Sequence, residues 1–356
     1  MKVDFLIIGQ GLAGSTLALE LLKREKTVLV VDRQDAGSST RVAAGLVTPL
    51  TGKGMNAAWR QEQYLPKAVA YYHALEKETG RKFYRKTPVV RLFATEKERQ
   101  KWEGKDLDHD QWAFDMGRLD GPFKHDLGGI EMSEGAWLDT VTFLQVVKDK
   151  LMDAGAWREG DFREEDVTFE DGLVRWQDVF AGKIILCQGA YGLSGIKGYD
   201  GWFSNIPHRS AKGEILSLWI DGLDESKRYH CNGWLAPREG GMWKAGASYD
   251  WKNLDSEPTE AGKEDVLTKL RTWLVEGDVP IEVIEHEAGV RPIIRNSRPL
   301  VGFHSEMPQV GFFNGLGSKG TLMAPAVAEH FASHLCGECE LDEDLSLECF
   351  EKPAWA

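Results

Sequence analysis

The sequence predicts an α/β fold, α+β overall, in which one mainly antiparallel β domain is inserted into another domain. Three observations lead there. An apolar run, Val3-Asp-Phe-Leu-Ile-Ile8, feeds directly into Gly9-Gln-Gly11-Leu-Ala-Gly14. A second run, Thr27 to Val31, delivers Asp32 eighteen residues past Gly14. A further cluster, Gly315, Gly317 and Gly320, stands before a helical stretch near the C-terminus, with β-rich sequence between the two.

Each residue of the first motif has a physical task. Gly9 permits a tight strand-to-helix turn, and Gly11 lets a pyrophosphate approach the backbone. Gly14 lets the helix pack against the strand, and Asp32 can accept hydrogen bonds from ribose hydroxyls. A bare GxGxxG is weak evidence. Here a β-branched run precedes it, and Leu17, Leu21 and Leu22 follow at helical spacing. A Rossmann-like dinucleotide site is therefore expected, with NAD and FAD both open on this motif alone.

The chain has 356 residues. A single core stops growing near roughly 250–300 residues, so two domains are expected. With 42% hydrophobic and 28% charged residues, the composition is that of a soluble globular protein. A net charge of −13 argues against a surface devoted to nucleic acid or anionic membrane, though not against a local basic patch. No apolar run reaches the length of about 18–20 residues that a membrane span needs. The apolar N-terminal stretch runs into the glycine motif and reads as a strand rather than a signal peptide. Five cysteines, an odd number, fit a reducing compartment, so a cytoplasmic location is expected. Cys336-Gly-Glu-Cys339 is a lone pair that cannot complete a zinc site, and the nine histidines show no metal-binding spacing. No metal is expected.

Along the chain, Tyr64, Ala68, Tyr71, Tyr72 and Leu75 mark a helix within 57–80. A strand is read at Thr87 to Ala94, then an irregular stretch to about Glu134. A helix follows from about Asp139 to Asp153. Lys183 to Cys187 reads as a buried parallel strand ending at Gln188-Gly-Ala190. Strands follow between Lys212 and Tyr249 and at Val310 to Asn314, and a last helix runs from Ala326 to Leu335. Nucleotide-binding pieces are thus expected at 1–80, 135–205 and 286–356, with a second domain from 81–134 and 206–285.

The cluster from Gly315 to Gly320 is a second loop able to offer backbone N–H groups to negative charge, although many ordinary helix-leading loops look alike. A flavin gains negative charge around N1 and the C2 carbonyl when it accepts a hydride, and preorganised donors would stabilise it there. A nicotinamide has no comparable need. Ser38-Ser-Thr-Arg-Val-Ala-Ala-Gly-Leu46 adds hydroxyls and small residues against which a ring system could lie. Together these point to FAD.

With these residues in place, the chain resembles the D-amino-acid oxidase family of flavoproteins, which includes glycine and sarcosine oxidases. The resemblance is carried by Gly9 to Gly14, Asp32, Ser39-Thr40, Ala44-Gly45-Leu46 and Cys187-Gln-Gly-Ala190. Gly289-Val-Arg-Pro292, Arg298 to Gly302 and Gly315 to Pro325 complete it, while 95–134 matches poorly. Gly246-Ala-Ser-Tyr249, Gly289-Val-Arg291 and Gly315 to Gly320 also look like the flavin domain of a bifunctional tRNA 5-methylaminomethyl-2-thiouridine biosynthesis protein. That protein's methyltransferase half has no room in this chain.

The resemblance implies FAD contacts at Gly9, Gly11, Leu12, Ala13, Gly14, Asp32, Arg33, Ser39, Thr40, Ala44, Gly45 and Leu46. It also implies contacts at Val167 through its backbone, and at Gly189, Gly317, Ser318, Lys319, Gly320 and Thr321. Covalent attachment is not expected, because no cysteine lies in 289–292 and no histidine in 38–46. Arg291 falls where the family pairs an arginine with the substrate carboxylate; the alternative is an interdomain ion pair. A planar guanidinium fixes a carboxylate bidentately and so aims the α-carbon. Tyr249 and Trp234 fall on the substrate side in relatives, though either could be simple core. Lys244 matches a lysine that assists oxygen reduction in sarcosine-oxidase-like members; an exposed strand lysine is the alternative. The expected catalytic set is Arg291, Lys244 and Tyr249, with Arg291, Tyr249 and Trp234 binding substrate.

The reaction implied is oxidation of a C–N bond in an amino acid or N-substituted glycine, by hydride transfer to flavin N5 and imine hydrolysis. Oxygen or another acceptor would take the electrons. One alternative is a tRNA-modifying oxidoreductase that removes carboxymethyl from a wobble uridine, with tRNA as partner. Another is a flavin-binding protein without turnover.

Overall fold

The computed structural model describes residues 1–52, 54–105, 113–116, 121–124, 126–275, 280–294 and 297–350. Five parallel strands form its first sheet, in the order Trp157–Glu159, Val28–Asp32, Lys2–Ile8, Val179–Leu186 and Val310–Asn314. Leu300–Phe303 adds to the far edge antiparallel, and the hairpin Val167–Glu170 with Leu173–Trp176 pairs beside the start of Val179–Leu186. The parallel strands read as continuous apolar runs because both faces are covered. Alternation sends Phe5, Ile7, Val28, Val30 and Ile185 to one face, and Leu6, Ile8, Leu29, Val31 and Ile184 to the other. Helices Leu12–Lys23, Gln61–Thr79, Thr140–Asp153 and Gly320–Leu335 contribute to the core on the first face.

The helix expected to come last begins at Gly320, six residues before the expected start, and the short helix Leu347–Phe350 follows it. Pro325 lies inside the longer helix and lacks the N–H that would bond the Thr321 carbonyl. That carbonyl accepts instead from the buried Tyr72 hydroxyl at 3.0 Å. A side chain from a helix some 250 positions upstream thus offsets the proline, which a local reading places outside the helix.

The second sheet runs Ile281–Arg291, Ala211–Ile220, Met242–Gly246, Trp234–Pro237, Arg228–His230, Val89–Leu92, Gly129–Met132, Ala113–Asp115. All neighbours are antiparallel except Arg228–His230 beside Val89–Leu92. Leu216, Leu218, Leu235, Trp243 and Ala245 pack on one face against Val266 and Leu270 of helix Glu260–Arg271. Period-two alternation turns Gly213, Ile215, Trp234, Gly246, Gly289 and Arg291 to the other face. The expected division at residue 286 needs correction: Ile281–Arg291 pairs with Ala211–Ile220 along its length, so Arg291 stands on the second sheet. The stretch 95–134, read as irregular, holds helix Glu96–Glu103 and strands Ala113–Asp115 and Gly129–Met132. Three short strands, Leu46–Val47, Ala136–Leu138 and Tyr84–Lys86, form a small antiparallel sheet of their own.

Candidate active site

One cavity of about 1580 Å³ runs from the ends of the parallel strands to the open face of the second sheet. Pockets for single small ligands hold roughly 300–1,000 Å³, so this one has room for a dinucleotide and a further small molecule.

Its nucleotide end is built from backbone. Gly9 has φ +99°, and a Cβ there would stand 2.7 Å from the Cys187 carbonyl oxygen. A Cβ on Gly14 would stand 1.9 Å from the Gly9 carbonyl oxygen, so only glycine allows the helix this close to the turn. Asp32 is aimed by two backbone donors, Gln10 N–H at 2.7 Å and Gln34 N–H at 2.7 Å, one to each oxygen. Leu12 N–H donates to Thr40 Oγ1 at 3.3 Å, tying the phosphate turn to the short helix Ser39–Val42.

Helices Leu12–Lys23 and Gly320–Leu335 both begin at the cavity. Neither has a side-chain cap or an acidic residue in its first turn. Apart from Leu12 N–H, which Thr40 Oγ1 accepts, their first N–H groups and positive dipole ends are left for an anion. Gly320 leaves space for Leu12 Cδ1, 2.8 Å from where its Cβ would be, which brings the two helix ends together. Lys319 lines the cavity beside them, and burial lowers its pKa. Two uncapped helix starts, an aimed carboxylate and a chamber of this size are the features a dinucleotide requires, and the residues present fit FAD.

Arg291 stands at the other end. Burial lowers the pKa of its guanidinium, with the Tyr249 hydroxyl acting the other way. Its Nη1 donates to the Ser248 carbonyl at 3.4 Å, and its Cζ lies 4.5 Å from the centre of the Tyr249 ring. Among the described residues no carboxylate lies within ion-pair distance of it. A guanidinium of this kind is suited to a carboxylate that arrives with a ligand. Tyr249 is half-exposed and stacks on the equally open Trp251, ring centres 5.7 Å apart. Trp234 lies over Gly246, where a Cβ would meet its ring at 2.6 Å.

Of the expected FAD-contacting residues, all but two line this cavity: Gly9, Gly11, Leu12, Ala13, Asp32, Arg33, Ser39, Thr40, Ala44, Gly45, Leu46, Gly189 and 317–321. Gly14 shapes the turn from behind; Val167 is the other exception and must be corrected. It opens an outer hairpin strand opposite Trp176 and does not line the cavity. Gly160, Asp161 and Phe162 stand there instead, because Trp157–Glu159 pairs with Val30–Asp32 and ends beside Asp32. Lys244 is a second correction. It sits two residues from Gly246 on the same face but outside the cavity lining, and its Nζ pairs with Glu287 at 2.6 Å. Its charge is already matched.

Sequence reasoning missed two residues. A Cβ on Gly213 would stand 2.0 Å from Arg291 Nη2, so this glycine makes the space in which the guanidinium lies. An isolated glycine inside a strand pattern was the available signal. His230 lines the cavity with its Nδ1 unpartnered among the described residues. Burial, together with the Arg91 and Arg228 cations, pushes its pKa down to about 3. Among the described residues no group of His, Cys, Asp and Glu could hold a metal ion, and no helix is long and apolar enough to cross a membrane.

The family model for FAD dependent oxidoreductases (DAO) matches residues 4–334. The chain is 31% identical over 127 residues to glycine oxidase of Bacillus licheniformis, covering 35% of this chain and 34% of that one. It is 24% identical over 353 residues to the tRNA 5-methylaminomethyl-2-thiouridine biosynthesis bifunctional protein MnmC of Marinobacter nauticus, covering 93% of this chain and 55% of that one. The chain thus spans about half or less of the length of these curated relatives. The crystal structure of iminodiacetate oxidase from Chelativorans sp. BNC1 superposes with a TM-score of 0.78 at 22% identity, covering 96% of this chain and 98% of that one. With the family model matched over nearly the whole chain and a cavity whose residues fit the dinucleotide, the chain belongs to the DAO family of FAD-dependent oxidoreductases.

Proposed function

We propose that this enzyme oxidises the C–N bond of an amino acid or N-substituted glycine. The observation that carries the reading is Arg291: a cavity-lining guanidinium without a carboxylate partner among the described residues, in the same chamber as the dinucleotide cradle. Bound FAD supplies the hydride acceptor. The chain's own residues bind and orient. Arg291 holds the substrate carboxylate through two parallel N–H bonds, which fixes where the α-carbon points. Tyr249 caps the guanidinium from one side, and Trp234 gives a flat apolar wall over Gly246. The uncapped helix start at Gly320 would offer positive potential to the negative charge the cofactor gains. A neutral amine needs no protein base to release a hydride, and His230 stays neutral at physiological pH. The resulting imine hydrolyses in water. Names of relatives lend support, since glycine oxidase and iminodiacetate oxidase are both named for amino acids with a carboxylate next to the reacting carbon.

Anaerobic mixing of the FAD-loaded enzyme with glycine, sarcosine, proline and D-amino acids tests this. Bleaching of the flavin band by at least one of them is expected. If none bleaches it while a non-amine does, the reading fails.

A second reading is removal of carboxymethyl from a modified wobble uridine in tRNA, favoured by similarity to the bifunctional tRNA protein along 93% of the chain. It requires a basic face despite the net charge of −13. Retention of tRNA at low salt, where phosphate contacts are strongest, is its minimum requirement.

A further inference from the structure

Three arginines of the second sheet and its connections, Arg91 and Arg228 buried and Arg238 partly buried, reach back to one short segment of the first domain. Arg238 Nη2 donates to the Ala44 carbonyl at 3.1 Å, Arg228 Nη2 to the Val47 carbonyl at 2.7 Å, and Arg91 Nη2 to the Gly52 carbonyl at 2.9 Å. Between the first two carbonyls lie Gly45 and Leu46, which with Ala44 line the cavity where the flavin is expected. Arg91 has Glu98 at 3.5 Å. Arg228 and Arg238 have no carboxylate within ion-pair distance among the described residues. Arg238 lies instead over the Trp137 ring, 4.3 Å from its centre. Arg228 is 2% exposed and its Nε has no partner. Room for it is made by Gly135, where a Cβ would stand 2.7 Å from Nη2.

Backbone carbonyls could be satisfied by neutral donors. Burying one cation and part of a second for that task is costly unless their charge has a use. We propose that Arg228 and Arg238 are positioning residues for the bound flavin, which hold Ala44–Val47 against the ring and supply positive potential that stabilises the charge the ring gains on reduction. Two electrons and one proton leave the ring with one additional negative charge. A cation one peptide behind the cavity wall, in a low-dielectric interior, favours that state. The two guanidinium groups also oppose each other: burial first, and then the Arg238 charge, pushes Arg228 down to about 9, and burial pushes Arg238 down to about 10. An added negative charge nearby relieves this repulsion. Asp139 already offsets part of the Arg238 charge, and it also caps helix Thr140–Asp153 by accepting from Thr142 N–H at 3.0 Å.

The test is the two-electron potential of FAD bound to the full chain, measured by reductive titration against a reference dye with no substrate present. Failure of the amine reading therefore leaves this result standing, and the reverse. Arg238→Met should shift the reduction equilibrium at least tenfold toward oxidised flavin, about 30 mV for a two-electron couple. Arg238→Lys, which keeps the charge, should stay within threefold of the parent. Asp139→Asn keeps a good helix cap but removes the negative charge, so it should shift the equilibrium the opposite way. A potential unmoved by Arg238→Met, or moved equally by Met and Lys, overturns the proposal. If Arg238→Met fails to fold, Asp139→Asn decides alone: a potential that stays or falls overturns it.

Discussion

Alanine at position 213 should disable the carboxylate clamp without touching Arg291 itself. The new Cβ would stand 2.0 Å from Nη2, 2.2 Å from Cζ and 2.3 Å from Nη1 of Arg291. Ordinary contact begins near 3.4 Å, so the guanidinium must retreat by about 1.4 Å. The displaced atoms are the free end of a long side chain, and Gly213 has no left-handed φ that alanine would strain. The fold should therefore lose little, and the shorter list of unfolded conformations returns about 0.4–1 kcal/mol. Binding is another matter. A displacement on the order of 1 Å from productive geometry costs roughly 10²-fold. That equals about 2.7 kcal/mol, in line with about 1.5–3 kcal/mol for each hydrogen bond to a charged group. The assay is titration of the FAD-loaded protein with acetate, followed by flavin absorbance, beside a thermal melt. Weakening of roughly 10²-fold for acetate, with little change in melting, is expected. Unchanged acetate affinity, or equal weakening for neutral acetamide, would refute the reasoning.

Other perturbations follow from the same geometry. Gly14→Ala sets a Cβ 1.9 Å from a backbone oxygen that cannot yield easily, so FAD content at 450 nm should collapse and stability fall by about 1–3 kcal/mol. Arg291→Lys keeps the charge but loses the planar fork, and should raise the KM for a carboxylate-bearing amine far more than it changes melting. His230 folds with its pKa pushed down to about 3 from 6.5. The unfolded chain therefore takes up a proton the folded chain refuses, and stability is lost as pH falls from 6.5 toward 3. Denaturant titrations between pH 5 and 6.5 should show His230→Gln flattening that loss by up to about 1.4 kcal/mol per pH unit; parallel curves would show that His230 titrates normally.

Much of this was legible in the sequence, for a physical reason. Gly9, Gly11, Gly14 and Asp32 are fixed by contacts within one strand-turn-helix-strand unit, so their spacing along the chain carries their geometry. Gly317 and Gly320 are equally local. Register across strands is not. Whether Lys244 meets the cavity or Glu287 depends on which residues stand opposite on Ala211–Ile220 and Ile281–Arg291, and no local pattern states that. The expectation at Val167 fails for the same reason: only the pairing of Trp157–Glu159 with Val30–Asp32 places Gly160 to Phe162 beside Asp32 and leaves Val167 in the outer hairpin. Helix Gly320–Leu335 was begun too late because Pro325 is a local stop signal, and the Tyr72 hydroxyl that offsets it is remote. The Gly213–Arg291 fit combines both difficulties, a glycine whose meaning appears only beside its neighbouring strand.

In the proposed function one chamber joins the flavin to a carboxylate clamp. The direct measurement is the anaerobic rate of flavin reduction by sarcosine and by dimethylamine, the same secondary amine without its carboxylate, in the parent and in Arg291→Ala. The parent should prefer sarcosine by roughly 10²-fold or more, and Arg291→Ala should erase most of that preference. Equal rates for the two amines in the parent, or a preference that survives loss of Arg291, would contradict it.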